Sequence, residues 1–327
     1  MRRILNFESC LKDEIKDFLE LRKSQGHDAG REEYMLYTLD KHLKSTKWER
    51  KDLSPEIING WLSSLPGEMS VNTKIVYISH YRQFARFLST LGYTAFIPER
   101  PVEDKSYMPY IFSGEEILAL IRAADTLVEE SRPNGRHSAV CFSVIIRLLC
   151  GCGLRLNEAL TLKTCDVDME TCTLKIRCAK GNKDRIVPYH KSIGDALAVY
   201  MKSAIPQKDG LLFPSKTGAS YSQTAARYYF GKYLENAGIS RKESRRYERN
   251  ICIHCLRHSF AVHSFRQMHK SGKDMYDEAP VLSAYMGHDS IYGTERYLHM
   301  AAENSADIIS MMEDFNRSQG LFPEVDG

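Results

Sequence analysis

Between Ile253 and Met300 the chain reads IHCLRHSFAVHSF, then a polar connection, then VLSAYMGHDSIYGTERYLHM. This stretch constrains the fold most, because it sets ionisable groups inside segments whose apolar residues recur at helical spacing. His254 and Arg257 stand three apart at the start of the first segment, so on a helix they share a face. His288 follows a glycine at what reads as another helix end, and Tyr297 comes nine residues later in a Tyr-Leu-His-Met context. A guanidinium, two imidazoles and a phenol gathered in one region suit chemistry on a phosphate. The bland alternative is a chance cluster, and the rest of the chain decides between them.

A length of 327 residues suggests about two domains, each large enough for its own core. The net charge of +3 permits nucleic-acid binding without demonstrating it. No apolar run approaches the roughly 18 residues of a membrane span, and the start lacks the apolar core of a signal peptide. The expectation is a cytoplasmic, nucleoid-associated protein with no membrane partner. Nine cysteines are scattered through the chain, at 10, 141, 150, 152, 165, 172, 178, 252 and 255. They lack the paired spacing of a zinc site, so reduced and mostly buried thiols are expected, with no metal and no cofactor.

The first hundred residues read as helical throughout. Phe7 to Gly26 carries Leu11, Ile15, Phe18 and Leu19 at helical spacing, and Glu32 to Trp48 repeats the pattern with Leu36, Leu39 and Leu43. Ser54-Pro55-Glu56 reads as a helix start, with serine as cap and proline at the first position. A fourth helix is expected from Ser70 to Leu91, and Lys74, His80, Arg82 and Arg86 are candidates on it for tracking DNA phosphates. A solvated helix face is the alternative. Residues 93–110 hold three prolines and no periodicity, which marks them as a linker between domains at 1–92 and 111–327.

The second domain opens on a capping-box pattern at Ser113-Gly-Glu-Glu, with a helix to about Asp125 and a strongly apolar helix from His137 to Cys150. GCGLRLNEALTL follows. Its glycines stop the preceding helix and Arg155 opens the next, with Glu158 one turn on. Such an arginine is either a structural group held by Glu158 or a guanidinium offered to a phosphate oxygen. Three strand-like runs come next (CDVDM, CTLKIRC, RIVPY), and a Gly-Asn turn signal between the second and third puts Lys180 at the mouth of an expected hairpin. Helices are expected from Lys191 to Ala204 and Tyr221 to Ala237. A charge-dense run, SRKESRRYERN, leads into His254, and an amphipathic helix closes the chain at residues 304–317.

Taken in order, Arg155 in GLRLNE, Lys180 in KGNKDR, His254 and Arg257 in HCLRHSFA, His288 in YMGH, and Tyr297 form one constellation. The chain thereby resembles the tyrosine recombinase, or phage integrase-like, family, whose pattern is Arg, Lys, His-x-x-Arg, His or Trp, and Tyr. The resemblance covers essentially the whole chain. It implies a mainly α fold with a small β-sheet: a helical core-binding domain, then a mixed α+β catalytic domain ending in a C-terminal helix.

For function, the resemblance implies site-specific breakage and rejoining of DNA through a 3′-phosphotyrosyl link on Tyr297. Arg155, Arg257 and His288 would hold the phosphate oxygens, His254 would be the base and Lys180 the acid, with Glu158 orienting Arg155. These cations can do the electrostatic work that divalent metals do elsewhere, so no cofactor is called for. The expected partners are double-stranded DNA carrying inverted-repeat core sites and further copies of the chain, four in a synapse, with other recombinases or accessory factors possible. TLGYTAFIPERP and YMPYIFSGEEI point toward integration, excision or transposition of a bacterial mobile element. A Xer-like dimer resolvase, a type IB topoisomerase-like enzyme and an idle DNA-binding accessory protein are the alternatives.

Overall fold

The computed structural model describes residues 5–26, 29–102, 108–179, 183–204, 207–240, 250–287 and 292–302. Lys180, His288, nearly all of the charge-dense run before His254 and the expected helix at 304–317 lie outside them. The chain divides into two compact units, with the division between Tyr107 and Met108.

The first unit is built from α1 (Lys12–Ser24), α2 (Gly30–Ser45), α3 (Pro55–Ser64) and α4 (Val71–Thr90). Leu11, Ile15, Phe18, Leu36, Leu39, Trp61, Tyr81 and Phe84 meet in its core, all buried. The first helix starts later than its apolar spacing suggests. The buried carboxylate of Asp40 accepts the backbone N–H groups of Glu8 and Ser9, at 2.9 to 3.1 Å, which holds that segment out of the helix. Ser70 caps α4 by accepting the N–H of Thr73. Ser54 and Pro55 do stand at the N-terminus of α3, but the serine side chain makes no capping bond there.

The start of the stretch expected as a linker is pinned to this unit. Ala95 bridges to Leu53, Thr94 donates to Asp52 through its N–H (2.6 Å) and hydroxyl (2.7 Å), and the Tyr81 hydroxyl donates to Phe96 O at 2.8 Å.

The second unit starts with α5 (Gly114–Glu129), where Ser113 and Glu116 form the reciprocal capping box read from the sequence. Next is α6 (Pro133–Cys152), which begins a turn earlier than its apolar run because Pro133 supplies the first helical position. Among the described residues α6 is the one helix long and apolar enough to cross a membrane by composition. Here it is the core helix, packed against α5, α8, α9 and α10, with Cys141, Phe142, Ile145, Ile146, Leu148 and Leu149 buried.

Short α7 (Leu156–Leu160) leads to a three-stranded antiparallel sheet of β1 (Val167–Asp168), β2 (Thr173–Ala179) and β3 (Lys183–Pro188), in that order. Leu174 pairs with Val187 and Ile176 with Arg185, so Arg185 lies on the same sheet face as buried Val187. α8 (Lys191–Ala204) and α9 (Gln223–Asn236) complete the main core.

A second apolar cluster joins α10 (His254–Lys270), α11 (Met275–Met286) and α12 (Tyr292–Ala302) through Phe265, Leu282, Met286, Leu298 and Met300. α11 corrects the expected polar connection. Asp274 accepts the N–H groups of Tyr276 and Asp277 and starts a helix that continues through Pro280.

Candidate active site

α6 must stop abruptly for Arg155 to be presented. Gly153 makes the stop, at φ +59°, and a β-carbon there would sit 2.4 Å from the Phe260 ring, so both backbone and space require glycine. Two residues later Arg155 occupies the N-cap position of α7.

Glu158, one turn on, accepts twice from Arg155: the backbone N–H on Oε2 and Nη1 on Oε1, each at 2.8 Å. The same carboxylate accepts twice from Arg185, Nη1 on Oε1 and Nη2 on Oε2, also at 2.8 Å. Burial pushes the Glu158 carboxyl up. The Arg185 and Arg155 donors overcome that and hold it at about 2, so it is ionised at neutral pH.

Arg257, on the first turn of α10, is 2% exposed. Its Nη1 donates to Gly153 O at 2.6 Å and its Nη2 to Met286 O at 2.5 Å. Burial first, and then the positive charge of Arg155, lower its guanidinium to about 10, which still leaves it charged at neutral pH.

The three arginines converge on consecutive carbonyl groups at the end of α11. Arg185 Nε donates to Tyr285 O at 2.8 Å, Arg257 to Met286 O, and Arg155 Nη2 to Gly287 O. A helix C-terminus is the negative end of its dipole, so cations are favoured there. Gly287 ends the helix at φ +65°, where a β-carbon would lie 2.9 Å from Arg185 Nη1. Among the described residues, three guanidinium groups stand against one carboxylate, a positive balance that suits an anionic ligand.

Tyr297, on α12, is 4% exposed. Its hydroxyl is hydrogen-bonded to Nδ1 of His258 at 2.8 Å. The His258 ring in turn meets the His254 ring edge-on, with centroids 4.6 Å apart. Burial raises the Tyr297 phenol, while Arg257, Arg296 and Arg155 pull it down, so the oxygen lies within the field of the arginine centre.

Arg155, Glu158, Arg257 and Tyr297 thus share one electrostatic centre, with His254 one ring away. Sequence reasoning missed two groups. His258 follows His254 by one helical turn, a spacing that could have identified it. Arg185 stands two residues before buried Val187 on β3, and that period of two was its signal.

On α4, the expected basic face includes His80, which has a carboxylate neighbour. Its Nδ1 lies 3.2 Å from Glu32 Oε1 in α2, because Glu32 is 2% exposed and gathers both His80 and Arg22. Arg82 is half-buried with Nη1 directed to Pro98 O, Lys74 is half-buried and Arg86 is exposed. Beside Arg155 an open groove is lined by Asn157, Lys163, Lys175 and Arg177. Arg177 is tied to Asp166 at 2.5 Å, while Lys175 stands 3.8 Å from Asp184.

Residues 111–304 match the family model described as the phage integrase family. Tyrosine recombinase XerD of Caulobacter vibrioides is 29% identical over 279 residues, covering 82% of this chain and 84% of that protein. In fold, the chain is similar to XerH site-specific recombinase in a post-cleavage complex with a palindromic difH substrate. The TM-score there is 0.63 at 21% identity, over 86% of this chain and 78% of that one. The Tn1549 transposon integrase bound to transposon right-end DNA matches with a TM-score of 0.57 at 14% identity, over 87% and 94%.

Proposed function

The chain belongs to the phage integrase family of tyrosine recombinases, and from that premise we propose that it breaks and rejoins double-stranded DNA through a 3′-phosphotyrosyl intermediate on Tyr297. The observation that carries this reading is the buried phenol, hydrogen-bonded to an imidazole, within the field of Arg257 and Arg155.

The chemistry follows from these groups. Attack by the Tyr297 oxygen on phosphorus builds negative charge on the non-bridging oxygens, which Arg155 and Arg257 meet with charge-assisted hydrogen bonds. Burial raises the phenol above its ordinary value, so a base must take its proton. The resemblance assigns that work to His254, whereas the ring within reach of the hydroxyl is His258, with His254 stacked edge-on against it. His258 therefore takes the proton and His254 supports it. The bond from phosphorus to the 5′ oxygen breaks, and that oxygen takes a proton from Lys180. A 5′-hydroxyl of a second strand then attacks the phosphotyrosine and releases the enzyme. The roles of Lys180 and His288 rest on the resemblance alone.

Arg185 and Glu158 position Arg155 rather than touch DNA. Lys74, Arg82 and Arg86 on α4, with Lys163 and Lys175 in the groove beside Arg155, supply phosphate contacts, and the salt dependence of binding reports their number. The acting form is a homo-tetramer synapsing two inverted-repeat sites.

The biological role proposed is integration, excision or transposition of a mobile element. The likeness to XerD favours a second reading, resolution of chromosome or plasmid dimers. Nicked suicide duplexes made from DNA flanking the gene test the chemistry. An SDS-resistant protein–DNA adduct is expected with the wild-type chain and none with Tyr297→Phe, while gel-shift binding persists in both. Recombination between two copies of one site on a plasmid, with no joining to unrelated target DNA, would favour the resolvase.

A further inference from the structure

A pair of thiols brackets the start of α10. Cys252 and Cys255 flank Ile253 and His254, and their sulfurs lie 3.7 Å apart. The backbone is already closed between them: the N–H of Cys255 donates to Cys252 O at 2.9 Å. A closure of that i to i+3 kind holds the two α-carbons within about 7 Å. Disulfides span α-carbon separations of about 4.4 to 6.8 Å, with sulfurs about 2.05 Å apart. The two thiols therefore lie within reach of a disulfide, and rotation about their side-chain bonds brings the sulfurs together. They also divide the work of exchange, since Cys252 is exposed while Cys255 is buried.

We propose that Cys252 and Cys255 form a reversible intramolecular disulfide, by exchange with a low-molecular-weight disulfide of the glutathione class, and that this bond switches off the site carried by α10. The exposed Cys252 thiolate attacks one sulfur of the small disulfide, whose other sulfur leaves as a thiol after taking up a proton. Cys255 then attacks the Cys252 sulfur as its proton passes to the departing small thiolate, which leaves as the second small thiol. The protein loses two electrons and two protons, and the small disulfide gains both. Excess small thiol reverses the sequence.

The consequence for the site follows from position. His254 lies inside the closed ring and Arg257 two residues beyond it. In this proposal, drawing the sulfurs from 3.7 Å to bonding distance displaces the first turn of α10. Misplacing a catalytic group by about 1 Å costs on the order of a hundredfold in rate. This effect on cleavage rests on the proposed function; formation of the bond does not.

The test uses the full-length protein equilibrated across reduced and oxidised glutathione, with remaining thiols alkylated and the peptide spanning residues 252–255 weighed. The expected result is loss of two hydrogens from that peptide, adduct formation on suicide DNA slowed by about a hundredfold, and recovery on reduction. Cys252→Ser should form no bond and should cleave at the reduced wild-type rate whatever the glutathione poise. Three results overturn the proposal: both thiols alkylated throughout, a bond that leaves cleavage unchanged, or equal oxidant sensitivity in Cys252→Ser. A protein that forms the bond but makes no adduct when reduced refutes the recombinase reading and leaves the thiol pair standing.

Discussion

Replacing Arg185 by alanine should weaken the fold and the chemistry together. Its guanidinium is 10% exposed and Glu158 is 7% exposed, so the pair sits largely out of water. The substitution deletes two bonds to the Glu158 oxygens and one to Tyr285 O. Removing one partner of a buried ion pair costs about 3 to 5 kcal/mol. Arg155 still donates twice to the carboxylate, which puts the expected loss at the lower end, about 3 kcal/mol. For a unit of this size about 1 kcal/mol shifts Tm by roughly 2 to 4 °C, so a fall of about 6 to 12 °C is expected by differential scanning calorimetry.

Arg185→Lys keeps the charge but not the two-pronged geometry, and should lie between wild type and alanine. Pairing Arg185→Ala with Glu158→Gln should cost much less than the sum of the two single changes, because both remove the same contact. A Tm unchanged by Arg185→Ala, or strictly additive losses in the double variant, would refute the reasoning that Arg185 holds Glu158.

Acid should reveal the same centre. The Glu158 carboxyl lies at about 2 in the folded chain, against an ordinary 4.5, so its stabilisation is present above pH 4.5 and is lost as pH falls toward 2. Chemical denaturation between pH 5 and 3 should show a slope that shrinks in Glu158→Gln. Gly287→Ala should destabilise the protein by about 1 to 3 kcal/mol, through left-handed backbone strain and the clash with Arg185, as read by urea unfolding. His258→Ala should slow adduct formation by about 10²- to 10⁴-fold, with a smaller effect from His254→Ala and little change in DNA affinity for either. Equal adduct rates in His258→Ala and wild type would return the base to His254.

Much of this architecture was open to inspection because helices announce themselves by spacing. Leu36, Leu39 and Leu43 give α2 its buried face, and the Ser113–Glu116 box gives α5 its start. What escaped depended on partners distant in the chain. The first turn of α1 is displaced by Asp40, about thirty residues away in sequence. Pro280 disguised the first half of α11 as a connection, since a proline reads as a break unless its helix is supported from outside. His80 sits among α4's basic residues, and its partner, the buried Glu32 carboxylate on α2, could not be read from α4 alone.

At the site, Arg155, Glu158, Arg257 and Tyr297 were legible through motif context. The identity of the imidazole on the phenol was not, because His254 and His258 share a helical face and only the position of α12 chooses between them. Arg185 was hidden for a related reason. A cation facing a sheet's buried side is unfavourable until Glu158 and the end of α11 are in place to receive it.

Locating the covalent link is the most direct measurement. The chain would be incubated with a nicked suicide duplex, the DNA digested to a short remnant, and the peptides sequenced by mass spectrometry. The account predicts a nucleotide remnant joined through a 3′ phosphate to the Tyr297 oxygen, and none anywhere in Tyr297→Phe. A remnant on another residue, or an undiminished adduct in Tyr297→Phe, would contradict it.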